Sequence, residues 1–267
     1  LAARIGAQAD DLVAGPAVAG PADVMEARVF KDAQGKALPY RLFKPPAADA
    51  KPRQPLVLFL HGAGECGNDN QAQLKHGVWS FVNPDSQAAH PCFVVAPQCA
   101  RGDKWADVEW GAPSHKQAEK PTESMRLVLE LVPALLQEFP VNPKRLYVTG
   151  LSMGGYGTWD LVMRQPAVWA AAVPVCGGAD DSKAALIAKL PVWVFHGGSD
   201  GVVKTARSRN IVEALKQAGG APKYTEYPGV GHDSWNKAYA APELPTWLFA
   251  QKRGSRSSRR DHSSSRA

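Results

Sequence analysis

Two periods run through the apolar positions of the chain. Val24 to Lys31 alternates apolar and polar side chains, Asp32-Ala-Gln-Gly35 makes a turn, and Leu38 to Lys44 resumes the alternation, which predicts a β-hairpin. Leu56-Val-Leu-Phe-Leu60 is instead continuously apolar, the pattern of a strand covered on both faces. Similar short runs predict strands at Cys92–Ala96, Arg145–Thr149, Trp169–Cys176, Pro191–Phe195 and Lys223–Tyr227. Between them the period lengthens. Met125, Val128, Leu129, Val132, Leu135, Leu136 and Phe139 recur every three or four residues and predict a helix over 122–139, kinked at Pro133. Met153, Tyr156, Trp159, Leu161 and Val162 mark the buried side of a second helix, ending near Gln165-Pro166. Ser182–Leu190 reads as a short helix, Lys204–Gln217 as an amphipathic one stopped by Gly219-Gly220, and Leu244–Gln251 as the last. Residues 65–90 are polar and irregular around a helical patch at Trp79–Val82, and residues 98–121 form a long aperiodic connection. Strands alternating with helices after a hairpin predict an α/β fold: a mainly parallel central sheet with helices on both faces.

Composition and charge narrow the class. A chain of 267 residues suits one large α/β domain. The expected organisation is an N-terminal extension at 1–23, a single domain at 24–251 and a disordered basic tail at 252–267. The net charge of +6 sits mostly in that tail, where six Lys and Arg residues face only Asp261. The body is therefore close to neutral, and it lacks the clustered basic residues with interleaved aromatics of a nucleic-acid face. No run of about 18 apolar residues predicts a membrane span. Residues 1–23 are rich in Ala, Gly and Pro and hold no intact signal peptide. The compartment is left open, with a lean towards an exported or periplasmic protein over a cytoplasmic one. Cys66, Cys92, Cys99 and Cys176 lack metal-site spacing; buried thiols are expected, with a Cys92–Cys99 pairing left open. No metal and no cofactor is predicted, and no P-loop or dinucleotide fingerprint occurs.

The candidate chemistry lies where strands end. Gly150-Leu-Ser152-Met-Gly154 sits between a predicted strand and a predicted helix, the context a nucleophile elbow requires. A serine hydroxyl needs a base and a group to orient that base. His232, in Gly229-Val-Gly-His232, is the candidate base. Asp200, in His196-Gly-Gly-Ser-Asp200, is the candidate acid, with Asp180, Asp181 and Asp233 as rivals. The chain order Ser, Asp, His is one of those in which such triads occur. An oxyanion hole would use the N–H of Met153 and, from His61-Gly-Ala-Gly64, the N–H of Ala63.

With these residues in place, the chain resembles α/β-hydrolase serine esterases, especially the dienelactone-hydrolase and prolyl-oligopeptidase-like esterase branch. The segments that carry the resemblance are His61-Gly-Ala-Gly64-Glu65, Gly150-Leu-Ser-Met-Gly-Gly155, His196-Gly-Gly-Ser-Asp200 and Gly231-His232-Asp233. It spans residues 24–250 and implies Ser152 as nucleophile, His232 as base and Asp200 as acid. The nucleophile is serine, not the cysteine of dienelactone hydrolases proper, so that activity is not implied. The function expected is hydrolysis of short-chain or aryl carboxylic esters through an acyl-enzyme, with a small-molecule ester as the partner. Feruloyl or acetyl carbohydrate esters form a subset of these. A serine peptidase or amidase is the enzymatic alternative, and a non-catalytic binding module the alternative of a different class. Trp105, Trp110, Trp159 and Trp235 are the candidate substrate-binding residues, with Trp105 or Trp110 as a wall over the acyl site.

Overall fold

The computed structural model describes residues 19–46 and 52–254. Residues 1–18, 47–51 and 255–267 lie outside the described residues, and with them most of the expected extension and of the expected tail.

A short helix α1 (Pro21–Val24) leads into the hairpin β1 (Glu26–Lys31) and β2 (Ala37–Phe43). Strand β3 (Gln54–Leu60) follows, then single 3-10 turns at Ala63–Glu65 and Ala72–Leu74, helices α2 (Trp79–Val82) and α3 (Pro84–Ala89), and β4 (Phe93–Pro97). The second half alternates: α4 (Glu123–Glu138), β5 (Val141–Leu151), α5 (Met153–Arg164), β6 (Ala171–Val175), a 3-10 stretch at Asp181–Ile187, β7 (Trp193–Gly197), α6 (Ala206–Gln217) and β8 (Lys223–Tyr227). Helices α7 (Trp235–Tyr239) and α8 (Glu243–Ala250) close the described chain. The eight strands form one sheet in the order β1-β2-β4-β3-β5-β6-β7-β8. The β1–β2 and β2–β4 pairs are antiparallel and the rest are parallel.

The continuous apolar run of β3 has a direct structural cause. Leu56, Leu58 and Leu60 point to one face and pack with Met125, Leu131 and Val162 of α4 and α5. Val57 and Phe59 point to the other and pack with Phe81 of α2, Tyr239 of α7 and Leu248 of α8. Two cores on opposite faces of one sheet leave no polar side for the central strands.

Two expectations need correction. Ser182–Leu190 does not form an α-helix; the chain makes 3-10 turns over Asp181–Ile187. Asp180 starts them by accepting a hydrogen bond from the Ser182 N–H. Helix α4 forms as expected with Pro133 inside it; Pro133 is exposed, so the carbonyl that loses its N–H partner there can turn to water. The strand expected at Arg145–Thr149 extends in both directions to Val141–Leu151.

The connection 98–121 carries no helix or strand, yet it is tied down along its length. Trp105 Nε1 donates to the His61 carbonyl at 3.0 Å, and Tyr156 Oη donates to the Trp110 carbonyl at 3.0 Å. Arg207 Nη1 donates to the Ala112 carbonyl at 2.8 Å, and Arg164 Nη2 to the Ala118 carbonyl at 2.7 Å.

Helix α5 crosses the ends of β3 and β6 at backbone contact. A Cβ on Gly154 would lie 1.9 Å from the Leu60 carbonyl oxygen, and one on Gly155 would lie 2.4 Å from that of Val175. These atoms belong to sheet backbone, so little can give. Gly154→Ala is expected to cost about 3 kcal/mol or more and to lower Tm by at least roughly 6 °C for a domain of this size. Differential scanning calorimetry of the variant against the parent checks this.

Candidate active site

The elbow forms where β5 ends. Ser152 takes φ 52° and ψ −116°, outside the regions open to most L-residues. Its N–H donates to the Val175 carbonyl at 3.0 Å, and its carbonyl accepts from the Tyr156 N–H at 3.1 Å. Both ends of the strained residue are thereby held. A Cβ on Gly150 would lie 2.3 Å from the Gly154 carbonyl oxygen, so the turn closes only with glycine at that position.

Three strand ends converge on this point. Ser152 follows β5, Asp200 lies three residues past β7, and His232 lies five residues past β8. His232 Nε2 is 2.8 Å from Ser152 Oγ, and His232 Nδ1 is 2.8 Å from Asp200 Oδ2. The Asp200 carboxylate has no exposed surface. Burial alone would raise its pKa. Hydrogen bonds from His196, His232 and the N–H groups of Val203 and Val202 more than offset this and hold it well below the usual carboxylate range. Asp200 therefore carries a full negative charge at neutral pH, against the imidazole nitrogen that faces away from the serine.

The rival acids are engaged elsewhere. Asp180 bonds Ser182 and the Gln117 N–H. Burial raises the pKa of Asp181. Asp233 contacts Asn236 at 3.5 Å.

The loop after β3 supplies the facing wall. Ala63 opens a 3-10 turn and Met153 opens α5, positions whose N–H groups have no acceptor within their own helix. His61, buried and unremarked in the sequence beyond its place before the glycines, sets the first of these peptides. The Cys99 N–H donates to His61 Nε2 at 2.9 Å, which puts the imidazole proton on Nδ1. Nδ1 lies 2.6 Å from the Gly62 carbonyl and donates to it. Burial pushes the His61 pKa down to about 4, so the ring stays neutral and keeps this tautomer. In a trans peptide the Gly62 carbonyl and the Ala63 N–H point in opposite directions. Fixing one aims the other. The signal for His61 lay in the motif itself, as the residue that joins a buried strand to a glycine loop.

A cavity of about 240 Å³ opens on Ser152 and His232, bordered by Gly62–Glu65, His76, Trp110, Leu151, Val202 and Trp235. Trp110 and Trp235 thus stand at the cavity, and the Trp235 ring meets His232 edge to face at 5.4 Å. Trp105 and Trp159 do not line it. Both are buried in the core under α5, where Trp105 packs against the His61 ring at 5.1 Å. Indole area is so large that burying it against a helix outweighs offering it to a ligand.

The cysteines are free thiols among the described residues. Cys92 and Cys99 belong to opposite cores, and the Cys99 thiol faces Cys66 instead. Cys176 lies with Asp200 and His232 in the one described group of three potential metal ligands. Burial pushes its thiol up to about 12, and a protonated thiol is a poor ligand.

This geometry can be set beside known proteins. An esterase described as thermostable has a solved structure that superposes with a TM-score of 0.80 at 41% identity, over 86% of this chain and 64% of that one. Carboxylesterase SOBER1 of Arabidopsis thaliana is 26% identical over 220 residues, covering 75% of this chain and 92% of that protein. A protein of Oryza sativa subsp. japonica named "probable inactive carboxylesterase" is 26% identical over 200 residues, covering 70% of this chain and 81% of its own. Residues 47–241 match the phospholipase/carboxylesterase family as a whole, and with that match extending over most of the eight-stranded sheet, the chain belongs to this family of α/β-hydrolases.

Proposed function

We propose that the protein hydrolyses short-chain or small aryl carboxylic esters by a Ser152–His232–Asp200 triad and an acyl-enzyme intermediate. The observation that carries this reading is the unbroken hydrogen-bonded line from Asp200 Oδ2 through both His232 nitrogens to Ser152 Oγ, each link 2.8 Å long. A serine hydroxyl is a poor nucleophile until a base takes its proton. His232 Nε2 accepts that proton as Oγ bonds to the ester carbonyl carbon. Asp200 stabilises the imidazolium and fixes its tautomer. The carbonyl oxygen takes up the negative charge and accepts from the N–H groups of Ala63 and Met153. Such donors are each worth about 3 kcal/mol in the transition state of comparable enzymes. As the intermediate collapses, His232 gives its proton to the leaving alcohol. Water then attacks the acyl-serine with His232 again as base, releasing the acid and restoring Oγ–H. The cavity, at about 240 Å³, lies at the lower end of the ligand-pocket range and favours small acyl groups over long chains.

A relative named "probable inactive carboxylesterase" makes the catalytic test the first to run. A fluorophosphonate should label Ser152 stoichiometrically, located by peptide mass spectrometry. Ser152→Ala should lose both label and turnover of p-nitrophenyl acetate, a fall of at least about 10³-fold in kcat, while its circular dichroism stays that of the parent. A folded parent that takes no label and turns over no ester would be a binding module.

The rate should also depend on pH in one direction. Only the neutral His232 can accept the Ser152 proton, so kcat/KM should fall on the acid side of neutrality. Asp200 stays ionised throughout and adds no second step, because its carboxyl is held low. A kcat/KM that does not fall as the pH is lowered would remove His232 from the base role.

Trp110 should limit the acyl group. Trp110→Ala should raise kcat/KM for p-nitrophenyl octanoate relative to the acetate by about tenfold, as apolar area becomes available to several further CH₂ groups. An unchanged ratio would place the limit elsewhere.

A further inference from the structure

The cavity has a polar corner that the triad does not use. Glu65 is only 6% exposed, yet no described residue makes a hydrogen bond to its carboxylate oxygens. Its charged neighbour is His76, whose Nε2 stands 3.7 Å from Oε1, beyond hydrogen-bond reach. The other oxygen tucks under the oxyanion loop, 3.0 Å from where a Cβ on Gly62 would be. Both residues border the cavity in front of Ser152. Neither carboxylate oxygen is among the sealed polar atoms of the described residues, so both keep access to the cavity, where donors brought by a ligand can reach them.

The direction from the triad is given by Trp235. Its ring centroid lies 5.4 Å from that of His232 and 5.5 Å from that of His76, so the indole touches both. The leaving alcohol must sit against His232 to receive its proton, so its far end runs along Trp235 to His76 and Glu65. We propose that Glu65 and His76 form a subsite for a hydroxyl group on the alcohol half of the ester, making the preferred substrates partial esters of polyols or sugars. This rests on the esterase reading above. A hydroxyl fits better than an ammonium group. Beside Glu65 stands His76, and an imidazole that can donate to a hydroxyl oxygen finds no acceptor on an ammonium. An imidazole can also both donate to and accept from a hydroxyl. The indole of Trp235 offers an apolar face to the carbon atoms between the hydroxyls.

Matched esters test this. Glycerol 1-monoacetate and propyl acetate share acyl group and chain length and differ in hydroxyls. The parent should favour the monoacetate by about tenfold or more in kcat/KM, the effect of one charge-assisted hydrogen bond. The preference should fall towards unity in Glu65→Met, whatever the absolute rate, and in part in Glu65→Gln, which keeps one acceptor. Equal rates on both esters in the parent overturn the subsite and leave the esterase reading standing. So does an unchanged ratio in Glu65→Met, or a hydroxyl preference found instead on the acyl side, with ethyl lactate against ethyl propionate. No turnover of either ester brings down the esterase reading and the subsite together. The parent comparison needs no variant, so a misfolded Glu65→Met does not shield the proposal.

Discussion

The structure depends on one steric fact: the first turn of α5 touches the backbone of the sheet. Gly154 meets the Leu60 carbonyl and Gly155 meets that of Val175 at distances that exclude any Cβ. This contact does more than pack a helix. Leu60 is the last residue of β3, and the oxyanion loop begins at His61. Val175 is the last residue of β6 and holds the Ser152 N–H. The helix that carries the Met153 N–H is thus locked to the two strands that fix the Ala63 loop and the Ser152 backbone. Backbone contacts vary less than side-chain rotamers, so the relative position of hydroxyl and donors is set by the most rigid atoms in the molecule.

Hydrogen-bond saturation around the site does for charge what the glycines do for shape. Asp200 is buried, and burial by itself favours its neutral form. Two histidines and two backbone N–H groups reverse the balance. His196, which the sequence places at a strand end near Asp200, is one of them. It is fully buried, with Nδ1 2.7 Å from Ser208 Oγ and Nε2 shared between the Val203 carbonyl at 2.9 Å and Asp200 Oδ2 at 3.2 Å, so its ring is fixed from both ends. His61 answers the opposite need. Burial keeps it neutral, and the Cys99 N–H selects the tautomer that orients Gly62. Two buried histidines therefore support the two polar halves of the site, and neither borders the cavity.

Much of this was legible in the chain because it rests on local rules. The β3 run is apolar at every position because both faces are covered, and the Gly150–Gly154 spacing reflects contacts that only glycine permits. The order Ser152, Asp200, His232 follows from strand ends meeting at one rim of a parallel sheet. What was not legible depends on partners far along the chain. Trp105 and Trp110 sit five residues apart in the same loop, and nothing in their spacing tells that one packs under His61 while the other faces the cavity. The Cys99 thiol pairs in space with Cys66, not Cys92, because β4 sends Cys92 to one core and the exit loop sends Cys99 to the other. The 3-10 stretch at Asp181–Ile187 reads as a helix by composition, but Asp180 competes for the backbone at its start.

The anchoring of residues 98–121 bears on how the site discriminates. A long connection without secondary structure is usually free to move, and a mobile lid selects substrates by closing on them. Here the loop is held by side chains of the fold itself. Tyr156 and Arg164 reach it from α5, and Arg207 from α6. Tyr156 donates to the carbonyl of Trp110, so the indole that borders the cavity is tied to the helix that begins after Ser152. The wall and the Ser152 hydroxyl are then held by the same element. A loop anchored in this way favours discrimination by the shape of the cavity and by the polar groups that border it. That places the burden of specificity on the residues that border about 240 Å³ of space. Among them Glu65 and His76 are the ionisable groups besides His232, and in the subsite proposed above they act on the alcohol half of the ester.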